Sequence, residues 1–135
     1  MKKRLLAVLC IGVLLAAPAC SGRRKPTEKI RDLEFSVVRE EELPEEFLKE
    51  IEGRGYKEFR MTYRDQGALY IARGYGQKNT TGYTVSVSGC FETEEAVWLQ
   101  TDLSGPPKEE KVKNERNNPY VAVRLNDIGK EVIFE

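Results

Sequence analysis

Strict alternation of apolar and polar positions recurs along this chain. In residues 83–91, Tyr83, Val85, Val87 and Phe91 share one face with Gly89 between them, while Thr84, Ser86, Ser88 and Cys90 share the other. Period two with β-branched side chains predicts a strand with one buried face. Phe59, Met61 and Tyr63 alternate in the same way with Arg60, Thr62 and Arg64, and Asp65-Gln66-Gly67 reads as a tight hairpin turn. Residues 68–75 then return with Leu69 and Ile71 opposed to Ala68, Tyr70 and Ala72. Apolar residues on both faces predict an interior strand. Val97, Leu99 and Leu103 oppose Ala96 and Trp98, and further strands are predicted over 120–125 and 131–134 with a turn at 126–129. Near the front, Leu33, Phe35 and Val37 alternate with Glu34, Ser36 and Val38 and predict a first strand.

One helix interrupts this pattern. Pro44 suits a first helical position, Glu45 and Glu46 suit the first turn of a helix dipole, and Gly53 suits a stop. Phe47, Leu48 and Ile51 form its apolar stripe. The fold class that follows is mainly β (α+β). Antiparallel strands form a small sandwich or rolled sheet, with one short helix near the N-terminal end of the domain. Two stretches lie outside the alternation. Residues 78–82 are turn formers, with Gly82 placed for a positive-φ turn ahead of Tyr83. Residues 104–118 are long, charged and contain Pro106-Pro107, a length that marks a functional or mobile loop.

The N-terminus changes the picture of where this domain works. Lys2, Lys3 and Arg4 precede thirteen apolar or small residues, 5–17, too short for a membrane span and suited to a signal peptide. Ala19-Cys20-Ser21 follows, which resembles the lipobox of bacterial lipoproteins and marks Cys20 for lipidation. The reading is a lipoprotein signal peptide over 1–19, a polar basic tether over 20–32 and a β-rich domain over 33–135. It implies a lipid-anchored, extracytoplasmic protein of the bacterial cell envelope, held to the membrane through Cys20.

The full chain of 135 residues carries 22 basic and 22 acidic side chains. Without the first nineteen residues, which hold three bases and no acid, 19 bases face 22 acids, a net of −3. Such a body gives no electrostatic reason to expect nucleic acid. Histidine is absent, which removes Ser-His-Asp and Cys-His machinery and the commonest metal ligand. No metal, cofactor or catalytic residue is assigned. The glycines between Gly74 and Gly82 match neither nucleotide fingerprint. With Cys10 in the signal and Cys20 lipidated, Cys90 has no intramolecular disulfide partner.

The order Asn79-Thr80-Thr81-Gly82-Tyr83-Thr84-Val85, then Pro106-Pro107, then Asn118-Pro119-Tyr120-Val121-Ala122-Val123, resembles the C-terminal domain of the PrcB family. Thr81 stands where that family has the first of two glycines. The resemblance covers most of residues 33–134, and the leader and the helix segment Glu41-Glu42-Leu43-Pro44-Glu45-Glu46 suit it. These bacterial lipoproteins are named for a subunit that binds and stabilises a cell-surface protease complex. The resemblance therefore implies a protein-binding domain, an accessory or stabilising subunit of an envelope protease or similar assembly. Asn79, Thr80, Thr81 and Tyr120 are its candidate partner-facing residues, because loops on a rigid sheet carry function and tyrosine offers contact area at low entropic cost. A second reading uses the similarity of Asn79-Thr80-Thr81-Gly82-Tyr83 to the wedge loop of chagasin-like protease inhibitors. An envelope enzyme is the alternative from a different class, disfavoured by the absence of histidine.

Overall fold

A computed structural model describes residues 28–135. The signal peptide, Cys20 and most of the tether lie outside the described residues. Eight strands and one α-helix follow in order: β1 Arg31–Asp32, β2 Ser36–Val37, α1 Glu45–Glu52, β3 Glu58–Asp65, β4 Ala68–Tyr75, β5 Thr84–Glu92, β6 Ala96–Ser104, β7 Tyr120–Asn126 and β8 Glu131–Phe134. They form two four-stranded sheets, β1-β5-β6-β8 and β2-β7-β4-β3. The expected mainly β sandwich with one helix is what the chain forms. All pairings are antiparallel except β6 with β8. The chain crosses between sheets after β7, so β8 starts at the same end as β6 and runs beside it in the same direction.

The alternating apolar positions build the inter-sheet core. Leu69, Ile71, Val121, Val123 and Leu125 from one sheet meet Cys90, Val97 and Leu99 from the other. As the two-sided apolar pattern predicts, β4 is an interior strand, and its other face reaches a second core. There Phe47 and Ile51 of α1 pack with Leu43 on Phe59, Met61, Ala72 and Ala122. Burying α1 requires the Phe47, Leu48 and Ile51 stripe, and Phe47 and Ile51 are the buried members. Gly74 matters to this packing. A Cβ there would meet the Phe59 ring at 2.3 Å, so the ring lies directly on the backbone of its cross-strand partner.

The β3–β4 hairpin closes through Gln66 and Gly67, both at positive φ (50° and 83°), the geometry whose twist matches the flanking strands. At the β7–β8 turn the Asp127 carboxylate accepts from the Gly129 N–H (2.9 Å) and from Arg64 Nε (3.1 Å). These hydrogen bonds, led by that from Gly129, hold the Asp127 carboxyl below the usual range.

Three local expectations are corrected. Residues 33–38 do not form one strand. The chain pairs with β5 through Arg31 and Asp32, leaves it after Leu33, and pairs with β7 through Ser36 and Val37. This change of sheet breaks the alternation, so Leu33 and Phe35 pack on the core while Val37 is 61% exposed. Secondly, Cys90 and Phe91 exchange faces. Val87 pairs with Thr101 and Gly89 with Gln100, which makes Ser88 an extra residue in a β-bulge. Beyond it Cys90 enters the core, and Phe91 stacks on Trp98 (centroids 6.1 Å apart) on the outer face. Thirdly, Pro44 is the N-cap of α1 and not its first helical residue; Gly53, the expected stop, is the C-cap, with a right-handed φ of −68°.

Before the bulge, Val85 and Val87 face the core and Ser86 faces out. Val87→Ala is therefore expected to cost about 1–3 kcal/mol through lost burial and a partial cavity. Ser86→Ala should cost far less. Equal losses in denaturant titrations of the two variants would contradict this register.

Candidate functional site

Strands β4 and β6 end, and β5 and β7 begin, at one end of the sandwich. The two long crossovers, residues 76–83 and 105–119, therefore lie on a shared rim. They are joined there. Lys78 and Asn117 exchange backbone hydrogen bonds of 2.7 and 2.9 Å. The Thr81 N–H donates to the Lys113 carbonyl (3.1 Å), and the Lys113 N–H donates to Thr81 Oγ1 (3.0 Å). The long charged loop is thus tied at two points to the turn it faces.

Gly82 sits against the second loop, with φ of +97°. A Cβ there would lie 2.7 Å from Pro106 Cβ and 3.2 Å from Val112 Cγ1. Gly82→Ala combines an unfavourable backbone with that collision and is expected to destabilise the domain by about 1–3 kcal/mol. Thermal melts check it, and hydrogen exchange should place the loss in the two loops. Tyr83 lies against Gly105, and Lys78 Nζ stands 6.0 Å from its ring centroid.

The residues singled out in the sequence divide into two kinds. Asn79 is exposed and Thr80 half-exposed on the rim, with the Thr80 hydroxyl donating to the Thr81 carbonyl (3.1 Å). Thr81 has both its amide and its hydroxyl committed to Lys113. Tyr120 is half-buried, its ring 5.9 Å from that of Phe59 and its hydroxyl donating to Glu40 Oε2 (3.3 Å). Burial, with Glu40 nearby, pushes the Tyr120 phenol up to about 12. Tyr120 also lines a groove of about 430 Å³ with Val37, Val38, Glu40, Glu41, Val85 and Ala122.

Sequence reasoning missed the apolar part of this end. Among the described residues four large apolar side chains are exposed: Ile30, Val37, Tyr56 and Val112. Three of them are here. Val37 is in the groove, Val112 lies beside Gly82, and the Tyr56 carbonyl accepts from the Gln77 N–H (3.0 Å). Alternation had placed Val37 inward, and nothing in the local pattern of Tyr56 or Val112 distinguishes it.

Cys90 is far from being a nucleophile. It is buried in the inter-sheet core, and burial, with Asp32 nearby, pushes its thiol up to about 11. Among the described residues no group of His, Cys, Asp and Glu could hold a metal, and no helix is long and apolar enough to cross a membrane.

Comparison with known proteins bears directly on the rim. No curated protein and no solved structure matches the chain. The family model described as PrcB C-terminal matches residues 69–126, from β4 through the last residue of β7, both crossovers included. The matched stretch, residues 69–126, is similar to the PrcB C-terminal family and supplies both loops of the rim.

Proposed function

We propose that this chain is a lipid-anchored, extracytoplasmic binding subunit without catalytic activity, an accessory or stabilising partner of an envelope protease or similar complex. One observation carries the reading: the PrcB C-terminal match spans both joined crossovers, at the end of the sandwich where Tyr56 and Val112 are exposed. Exposed apolar side chains gathered on a rigid end suit protein contact. Cys20 supplies the anchor, and residues 21–27 with the stretch up to Ile30 supply reach from the membrane.

Affinity isolation of the full chain from detergent-solubilised host membranes tests the partner. A stoichiometric protein should co-purify, and its recovery should survive salt washing. Recovery of the chain alone, after gentle cross-linking as well, would contradict the binding-subunit reading. Intact mass tests the anchor. The mature protein should begin at an acylated Cys20 and show a single free thiol, Cys90, once unfolded. A mature chain without lipid, or one showing two thiols, would remove the anchor.

A further inference from the structure

Edge strands expose unpaired backbone groups, and proteins guard them with charge, brevity or cover. Most edges here are guarded. The outer edge strand β3 carries Glu58, Arg60, Arg64 and Asp65. β1 and β2 are two residues each, and β8 is four residues flanked by Lys130 and Glu135. One edge differs. β1 covers β5 only at Phe91 and Glu92, with one more bond from the Leu33 N–H to the Cys90 carbonyl, before the chain moves across to β7. Among the described residues nothing pairs with the outer side of β5 over residues 84–88. That stretch reads Thr-Val-Ser-Val-Ser, with no charge and no proline in a chain that is 33% charged. The bulge at Ser88 marks its far limit.

The bare edge borders the groove already described. Val85 lines it from β5, Val37 and Val38 from the switched segment, and Tyr120 from β7. Arg39, Glu40 and Glu41 line it as well. Arg39 Nε approaches Glu41 (3.4 Å) and Glu42 (3.7 Å), while the Glu40 carboxylate accepts only from the neutral Tyr120 hydroxyl among the contacts the structure shows. A bare main-chain edge beside a groove lined by valines and by the Glu40 carboxylate fits an extended peptide that carries apolar side chains at alternate positions and one cation.

We propose that residues 84–88 of β5 accept an added strand from a partner protein. Its apolar side chains enter the groove beside Val37 and Val85, and a lysine or arginine meets Glu40. This rests on the binding-subunit reading and specifies how such a partner would be held. A second copy of this chain fits less well, because residues 84–88 offer no cation to Glu40.

The test is a selection of random linear octapeptides on phage against the purified full chain, with the recovered sequences resynthesised as probes. Recovered peptides should alternate apolar with polar positions and carry a basic residue. Bound probe should slow exchange of those amides within 84–88 that are not bonded to β6 by about tenfold or more. N-methylation at every second residue of the probe should abolish binding with the side chains unchanged, and Glu40→Gln should weaken it about threefold to tenfold. Recovery of no peptide, protection elsewhere, or undiminished binding of the N-methylated probe would overturn the proposal. So would self-association of the chain through the same amides. Failure in any of these ways leaves the co-purification result standing, so the docking mode and the binding-subunit reading are judged separately.

Discussion

Phe47→Ala is expected to lower stability by about 3–5 kcal/mol, the range for removing a fully buried aromatic side chain. Phe47 has no exposed surface and is the central anchor of an eight-residue helix. A helix that short has little stability of its own, so its order depends on the face it buries. The Phe47 ring stacks on Tyr63 (5.4 Å between centroids) and lies 6.4 Å from Tyr70, and Ile51 packs in the same core. Alanine would leave Leu43 and Ile51 to hold α1 and would loosen the hydrogen bond from the Tyr63 hydroxyl to Glu46 (3.0 Å). Helical circular dichroism should decline at lower denaturant than the β signal. A loss below about 1 kcal/mol would show that α1 is not an integral part of the fold.

Leu99→Ala is expected to cost about 2–5 kcal/mol and to act differently. Leu99 is fully buried between the sheets, pairs with Cys90 across β5 and with Phe134 across β8, and packs in the core with Leu69, Ile71 and Val123. Both sheets lose contacts when it is truncated, so every probe should shift together in one transition. Cys90, buried beside Leu99, should label faster in the variant than in the parent as the core opens more often. A variant that melts like the parent would mean that the sheets do not close on this residue.

The contrast between these two sites shows what the sequence could and could not convey. Alternation identified β3 to β8, the interior position of β4 and the buried stripe of α1, because burial of one face imposes period two or 3.6 on the residues themselves. It failed at residues 33–38 and 88–91, where the chain changes sheet and where the bulge inserts a residue. Both events shift the phase of the pattern without altering the residue types on either side. Gly89, inside the alternating strand, was the available signal for the second. Nothing in the local sequence marks the first, which is set by the competing edges of β5 and β7.

For the rim the situation is similar. The turn at 78–82 and the loop at 104–118 were each visible as breaks in the pattern, and Gly82 was visible as a positive-φ position. Their joining through Lys78, Thr81, Lys113 and Asn117 was not, because it depends on crossovers between sheets and on main-chain hydrogen bonds that leave no composition signature. It changes the roles assigned to individual residues. Thr81 holds the loops together, Tyr120 is half packed beneath the groove, and Asn79 is left as the freely exposed side chain of the original set.

On the reading proposed above, the joined rim and the groove beside it face a partner protein. The most direct test of that reading is the affinity of the co-purified partner for folded Asn79→Ala and Val37→Ser variants, measured beside Glu94→Ala at the opposite end of the sheet. Val37 and Asn79 are exposed, so neither substitution should disturb folding, and thermal melts verify that. At least one rim or groove variant should weaken binding about tenfold, the cost of losing one contact of about 1–2 kcal/mol, while Glu94→Ala should bind like the parent. Unchanged affinity in both rim and groove variants, or a loss confined to Glu94→Ala, would contradict that reading.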